Sequence, residues 1–322
     1  MKFHRLIPGL ALVFAMIVFL GACAVPAAQT SPEAAARPKV LVAETFLADI
    51  AQNVAGDRLT VEVLIPRGVD PHSFEPTPAD VRKVADATLL IVNGAGLEAF
   101  LRPLLENAGG ARTVVEAAAG LSPREGPAGE HEEGEADHAP GAGGHEEGDP
   151  HFWLAPNHVI KYVENIRDGL STADPAGKAA YAANADVYIA RLEELDAWIT
   201  EQVEGIPEAR RLLVTNHESF GYFADRYGFQ VIGAVIPSVS TAASPSAQQL
   251  AQLADQVKAT GAPAIFLELG ANPQMAKQLA AETGMKVVTG LLTHSTTAED
   301  GPGPDYLSMM RYNASTIVDA LK

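Results

Sequence analysis

A chain of 322 residues that is 47% apolar and carries a formal charge of −17 has material for one large core or two ordinary ones. Its acidic surface repels nucleic acid and offers no basic patch to anionic lipid, while it favours cations at long range. The single cysteine excludes an internal disulfide.

The chain starts with Lys2, His4 and Arg5, followed by an unbroken apolar run from Leu10 to Leu20. Such a run has signal-peptide length and is too short to span a bilayer. Residues 1–22 are therefore read as a signal peptide. Cys23, after Leu20-Gly21-Ala22, falls where cleavage is expected and resembles the lipid-modified cysteine of a bacterial lipobox. Residues 23–38, rich in Ala and Pro, read as a flexible tether on that anchor, which places the mature protein outside the cytoplasm on a bacterial cell membrane.

Strand-like runs then alternate with helical patterns. Val40 to Ala43, Leu59 to Ile65, Leu89 to Val92 and Thr113 to Val115 read as strands. Between the first two, Phe46, Leu47, Ile50 and Val54 share one helix face. Thr77 is an N-cap ahead of Pro78, with Asp80 as its capping-box partner. The alternation predicts an α/β fold with a mainly parallel sheet covered by helices. Residues 125–149 interrupt the pattern. From Glu130 to Asp149 there are eight acids, five glycines and three histidines (His131, His138, His145), with no Lys or Arg. Such a stretch builds no core and reads as a loop.

Helical character resumes near Pro156 to Leu170. A long helix follows, capped by Asp174 and Pro175, carrying Tyr181, Val187, Tyr188, Leu192, Leu195 and Ile199, and running to about Val203. At 1.5 Å per residue it extends about 42 Å, enough to run along two lobes. A second alternating set has strands at Leu212 to Thr215, Val231 to Ile236, Ala264 to Leu267 and Lys286 to Thr289. Its helices are Glu218 to Tyr227, one capped by Ser244-Pro245, one capped by Asn272-Pro273, and a last one from Tyr306 to Leu321. The expected organisation is an N-terminal lobe at 39–173, a linking helix at 174–205 and a C-terminal lobe at 206–322, each lobe with four strands.

Four histidines stand in separate loop contexts: His72, His151, His217 and His294, spaced by 79, 66 and 77 residues. Ligands so far apart make no local zinc finger; they meet only if the fold gathers several loops at one place. His72, His217 and His294 follow predicted strands, where open α/β sheets collect their ligands. Asp70-Pro71 and Pro76 stiffen the His72 loop, and Asp70 and Glu75 are candidate acceptors for its second ring N–H. His151 is framed by Asp149-Pro150 and by Trp153 to Pro156, and Phe152 and Trp153 would exclude water there or simply anchor the loop end. His217 lies between Asn216 and Glu218 at a strand-to-helix junction; Asn216 alone would make it a helix start. His158, on the helix after Pro156, reads as a surface residue.

The segments Asp70-Pro-His-Ser-Phe-Glu-Pro-Thr-Pro78, Asp149-Pro-His-Phe-Trp-Leu-Ala-Pro156, His217 to Gly228 and Tyr306-Leu-Ser-Met-Met-Arg-Tyr-Asn313 carry a resemblance. In them the chain looks like the cluster A-I substrate-binding proteins of ABC transporters, the zinc- and manganese-binding family of ZnuA, TroA and PsaA. The likeness runs from about Lys39 to Leu321. It implies two four-stranded lobes joined by one long helix, metal held between them, a membrane permease as partner, and a monomer.

The resemblance puts metal ligands at His72, His151 and His217. The fourth family ligand is usually an Asp; here His294 stands at that place, which leaves His294, Asp300, Asp305 or water as the fourth. Ser244 is a second departure, since relatives often have Glu before Pro-Ser. Three or four neutral nitrogens suit Zn²⁺, whereas Mn²⁺ prefers carboxylate oxygen; Cu²⁺ would suit them equally. His131, His138 and His145 are either a low-affinity cation collector or part of a solvated linker. An enzyme is not expected. His217-Glu218 opens a His-Glu-x-x-His motif, but Gly221 stands where its second histidine belongs, and there is no Gly-x-Ser-x-Gly elbow. A role as a surface adhesin, described for some family members, would not exclude transport.

Overall fold

The computed structural model describes residues 37–124 and 148–322. The expected signal peptide, Cys23, His131, His138 and His145 lie outside the described residues.

Two parallel four-stranded sheets organise the chain. The first contains β1 (Val40–Val42), β2 (Val61–Val63), β3 (Leu89–Val92) and β4 (Thr113–Glu116) in the order β2-β1-β3-β4. β1 and β3 are central and buried throughout, and their unbroken apolar runs are what a parallel strand covered on both faces requires. Val40 lies opposite Val61 on one side and Leu89 on the other. Helix α1 (Thr45–Ala55) buries Phe46, Leu47, Ile50 and Val54, the face read from the sequence. In α2 (Pro78–Asp86) the Thr77–Asp80 capping box is complete in both directions. A short α3 (Leu101–Ala108), for which no sequence pattern stood out, buries only Leu104.

Helix α4 (Pro156–Ala173) begins on its proline, whose missing N–H is no loss in a first turn. A 3₁₀ turn at Pro175–Gly177 then precedes α5 (Lys178–Glu204). The expected cap is displaced for that reason: Asp174 makes no capping bond and instead binds Arg58 and the Tyr181 hydroxyl. Tyr181, Ala185, Tyr188, Leu192, Leu195, Ile199 and Val203 form the buried stripe of α5. Val187 was expected on that stripe but is 65% exposed, since it falls off the three-four spacing.

The second sheet contains β5 (Leu212–His217), β6 (Gln230–Ile236), β7 (Ala264–Glu268) and β8 (Lys286–Leu291) in the order β6-β5-β7-β8, again all parallel. Helix α6 (Gly221–Tyr227) starts three residues later than expected and stops at Gly228, which is left-handed at φ 72°. Helix α7 (Ala247–Thr260) is capped by Ser246, with Gln249 closing the box, rather than by Ser244. Helix α8 (Gln274–Thr283) follows Asn272, whose side chain accepts the Gln274 N–H. Helix α9 (Tyr306–Leu321) is capped by Asp305.

The long α5 packs against α1 and α4 on one side and α6 and α9 on the other. The largest apolar cluster is therefore shared by both lobes, running from Phe46 and Leu89 through Trp153, Tyr188 and Leu195 to Phe223, Leu292 and Tyr306. Loops from both lobes meet beside this shared cluster, where Gly68 bonds Ser295 and Asp70 bonds Thr241.

Candidate metal centre

Each histidine is delivered by a different local device. After β2, a 3₁₀ turn at Pro71–Ser73 carries His72; Pro71 pre-sets the turn and the Asp70 carboxylate accepts the His72 main-chain N–H at 2.9 Å. His151 directly precedes a second 3₁₀ turn, Phe152–Leu154. One oxygen of Asp149 accepts both its main-chain N–H at 2.9 Å and its ring Nδ1–H at 2.8 Å. His217 is the last residue of β5, where the strand ends open on the groove. His294 lies in the loop after β8.

The four rings converge. One nitrogen from each of His72, His151, His217 and His294 lies within 4.8 Å of the others. His151 Nε2 is 3.3 Å from His72 Nε2, 3.1 Å from His217 Nε2 and 3.4 Å from His294 Nε2. With Zn–N bonds of about 2.0–2.1 Å, a tetrahedron has edges of about 3.3 Å. The Nδ1 atoms explain why the Nε2 atoms face inward. Glu268, at the end of β7, accepts the Nδ1–H of His217 and lies 3.2 Å from Nδ1 of His294. With Nδ1 committed to a carboxylate, Nε2 of His151 and His217 is a bare lone pair aimed at the common centre. His72 alone has no partner for its Nδ1 among the described residues.

The electrostatics follow from burial. His151 and His217 are fully buried, and His294 nearly so. Burial, then repulsion from His294 and His217, holds His72 down to about 3, and the same causes keep His151 well below the ordinary histidine range. Burial alone would raise Glu268, but attraction from His217 and hydrogen bonds from His217 and His294 outweigh it and leave the carboxylate well below its usual range. Asp149, by contrast, is pushed up to about 7 by burial. The result is four converging ring nitrogens backed by buried acids, a pocket suited to a divalent cation.

The walls are apolar and cross the groove. Trp153 stacks on Phe46 with centroids 4.6 Å apart and donates its indole N–H to the Thr293 carbonyl at 2.7 Å. Tyr306 donates its hydroxyl to the Trp153 carbonyl at 2.7 Å.

Several expectations change. Asp300 is exposed, and the Asp305 carboxylate is used in capping α9, where it accepts the Ser308 N–H at 2.7 Å; neither joins the cluster. Glu75 is exposed and makes no bond to His72, and Asp70 holds that residue's main chain, not its ring. Ser244 lies on the surface. His158 is half-buried, with edge contacts to Phe152 and Tyr222 at 5.6 and 5.2 Å, because α4 turns it inward against the C-terminal lobe. Gly221 has its own reason to lack a side chain: a Cβ there would lie 2.6 Å from Arg124 Nε and 3.0 Å from Asp149 Oδ2. Glu268 escaped the sequence reading. Its one signal was an acid ending the otherwise apolar run Ala264-Ile-Phe-Leu-Glu268 at a strand's C-terminal end.

Comparison with known proteins agrees with this geometry. Residues 40–320 match the family described as "Zinc-uptake complex component A periplasmic". The chain is 34% identical over 284 residues to the manganese-binding lipoprotein MntA of Halalkalibacterium halodurans, covering 88% of each. It is 32% identical over 312 residues to the iron-binding protein YfeA of Yersinia pestis, covering 95% of this chain and 94% of that one. Among solved structures it resembles the periplasmic zinc-binding protein TroA of Treponema pallidum, with TM-score 0.75, 26% identity, and 88% and 99% of the two chains covered. Two parallel four-stranded sheets, a long helix packed against both lobes, loops that bring four histidines together and a match over nearly the whole described chain lead to one assignment: it belongs to the ZnuA family of metal-binding, non-enzymatic substrate-binding proteins of ABC transporters.

Proposed function

We propose that this chain captures Zn²⁺ outside the cytoplasm and hands it to an ABC permease. His72, His151, His217 and His294 supply four Nε2 ligands, and the lobes at 39–173 and 206–322, joined by 174–205, hold the ion between them. The observation that carries the reading is the composition of the cluster: four imidazoles and, among the described residues, no carboxylate. Nitrogen in that number favours Zn²⁺ over Mn²⁺, whose affinity for such ligands is lower and which prefers oxygen. The relatives' names include manganese and iron as well as zinc, so the choice of metal rests on these ligands. Cys23 is the expected lipid anchor, which agrees with MntA being named a lipoprotein.

The test is competitive titration of chelator-stripped protein. One equivalent of Zn²⁺ is expected to bind tightly and to survive a large excess of Mn²⁺. His72→Ala or His217→Ala should weaken it by 100-fold or more, on the order of a lost metal bond, whereas His158→Ala should not. Preferential retention of Mn²⁺, or equal loss in all three variants, would overturn the reading.

A further inference from the structure

The four histidines are not equally held. Asp149 fixes the His151 ring, Glu268 fixes the His217 ring, and the Thr293 hydroxyl, itself bound to Glu268, meets Nδ1 of His294 at 3.2 Å. His72 is the least buried of the four and its ring has no such partner among the described residues. Its position depends on its loop, and that loop is tied across the groove at two points. Gly68 donates its main-chain N–H to Ser295 Oγ at 2.9 Å, beside His294. Asp70 makes the second tie with both carboxylate oxygens. Oδ1 accepts the His72 N–H, and Oδ2 accepts the hydroxyl of Thr241, in the loop that follows β6 in the other lobe. A direct mechanical line therefore runs from the C-terminal lobe, through one carboxylate, to the backbone of the least supported ligand.

We infer that the Thr241–Asp70 hydrogen bond is a latch between the lobes that sets how long the ion stays, by holding His72 against the other three imidazoles. Thr241 and Asp70 are positioning residues; neither touches the ion. The inference rests on the reading that the cluster holds metal. Once the latch parts, the His72 loop is free to swing away with the N-terminal lobe, leaving a three-nitrogen site open on one side. Dissociation should therefore depend on the Thr241 hydroxyl more strongly than association does, because the encounter precedes latching.

The measurement is the rate at which Zn²⁺ passes from the full chain to an excess of chelator. Thr241→Val keeps the side-chain shape and removes the hydroxyl; Thr241→Ser keeps the hydroxyl. Valine is expected to speed release about tenfold, the scale of a hydrogen bond to a charged group. Serine should stay close to wild type, and the melting temperature of the metal-free protein should not change in either variant. Release from the valine variant at the wild-type rate, or equally fast release from the serine variant, would overturn the latch. If wild-type protein retained no Zn²⁺, the cluster reading itself would fail, and that outcome is distinct because it appears before any variant is compared.

Discussion

Glu268 is the residue on which the centre's geometry turns. It accepts the ring N–H of His217, a hydroxyl from Thr293 at 2.8 Å and the Asn216 amide at 3.4 Å, and lies 3.2 Å from Nδ1 of His294, which is 3.2 Å from the same Thr293 hydroxyl. An isolated buried carboxylate would be costly, and here the polar groups around it meet that cost. Its charge also makes both imidazoles better donors to a cation, as outer partners of metal-bound histidines do. Glu268→Gln should leave the fold intact but lower Zn²⁺ affinity about 10- to 100-fold, read by chelator competition. An unchanged affinity would mean that His217 and His294 hold their orientation through packing alone. This residue also shows where the sequence stopped being legible. His72 and His151 stood out through their own neighbours, the prolines and aromatics that stiffen a loop, and His217 and His294 through the strands they follow. Glu268 has no such frame; it acts on His217, 51 positions earlier, and only the parallel pairing of β5 with β7 brings them together. Asp70 was visible as a partner of His72, but neighbours in a sequence do not say whether an acid grips the ring or the main chain.

Elements were legible where one local signal sufficed. Strands buried on both faces announce themselves as apolar runs, and the Thr77–Asp80 box fixed the start of α2. The starts of α5 and α7 shifted because a 3₁₀ turn, or a second serine that caps better, intervened, and propensity does not rank such near-equal choices; α6 starts late because β5 runs on to His217 and the Glu218 N–H goes to the Ser238 carbonyl. Close approach between elements is invisible in sequence. Gly169 lies in the last turns of α4, and a Cβ there would come within 2.5 Å of Val115 Cγ2 on β4. In an exposed helix interior, glycine to alanine is favourable by about 0.5–1 kcal/mol. Here the branched, short side chain of Val115 has little room to give, and overpacking costs about 1–3 kcal/mol. The second effect is larger, so Gly169→Ala should lower the melting temperature of the metal-free protein. A rise would show that α4 moves off the sheet without cost.

At the scale of the whole molecule, proton and metal compete for the same nitrogens. An ordinary imidazole titrates near 6.5, and its hold on a metal fades below that pH. His131, His138 and His145 are the proposed weak, collecting class. His72, held down to about 3, and His151, also depressed, stay unprotonated far below 6.5. The sign for stability follows. In the unfolded chain these histidines take up protons near 6.5, while in the fold they do not. The metal-free protein therefore has their full contribution above 6.5 and loses it as pH falls toward the folded values. Glu98, raised to about 7 by burial, works in the opposite direction, its contribution fading as pH rises through 7. It is present in loaded and stripped protein alike, so it cancels in the difference between their melting temperatures. Titration to acid should then release bound Zn²⁺ in two steps, a weak class first and a tight class at lower pH. Deleting residues 130–148 should remove the first step and leave the second unchanged, with the loaded protein still melting above the stripped one at pH 5. Disappearance of the second step on that deletion would mean that the acidic segment helps build the centre instead of feeding it.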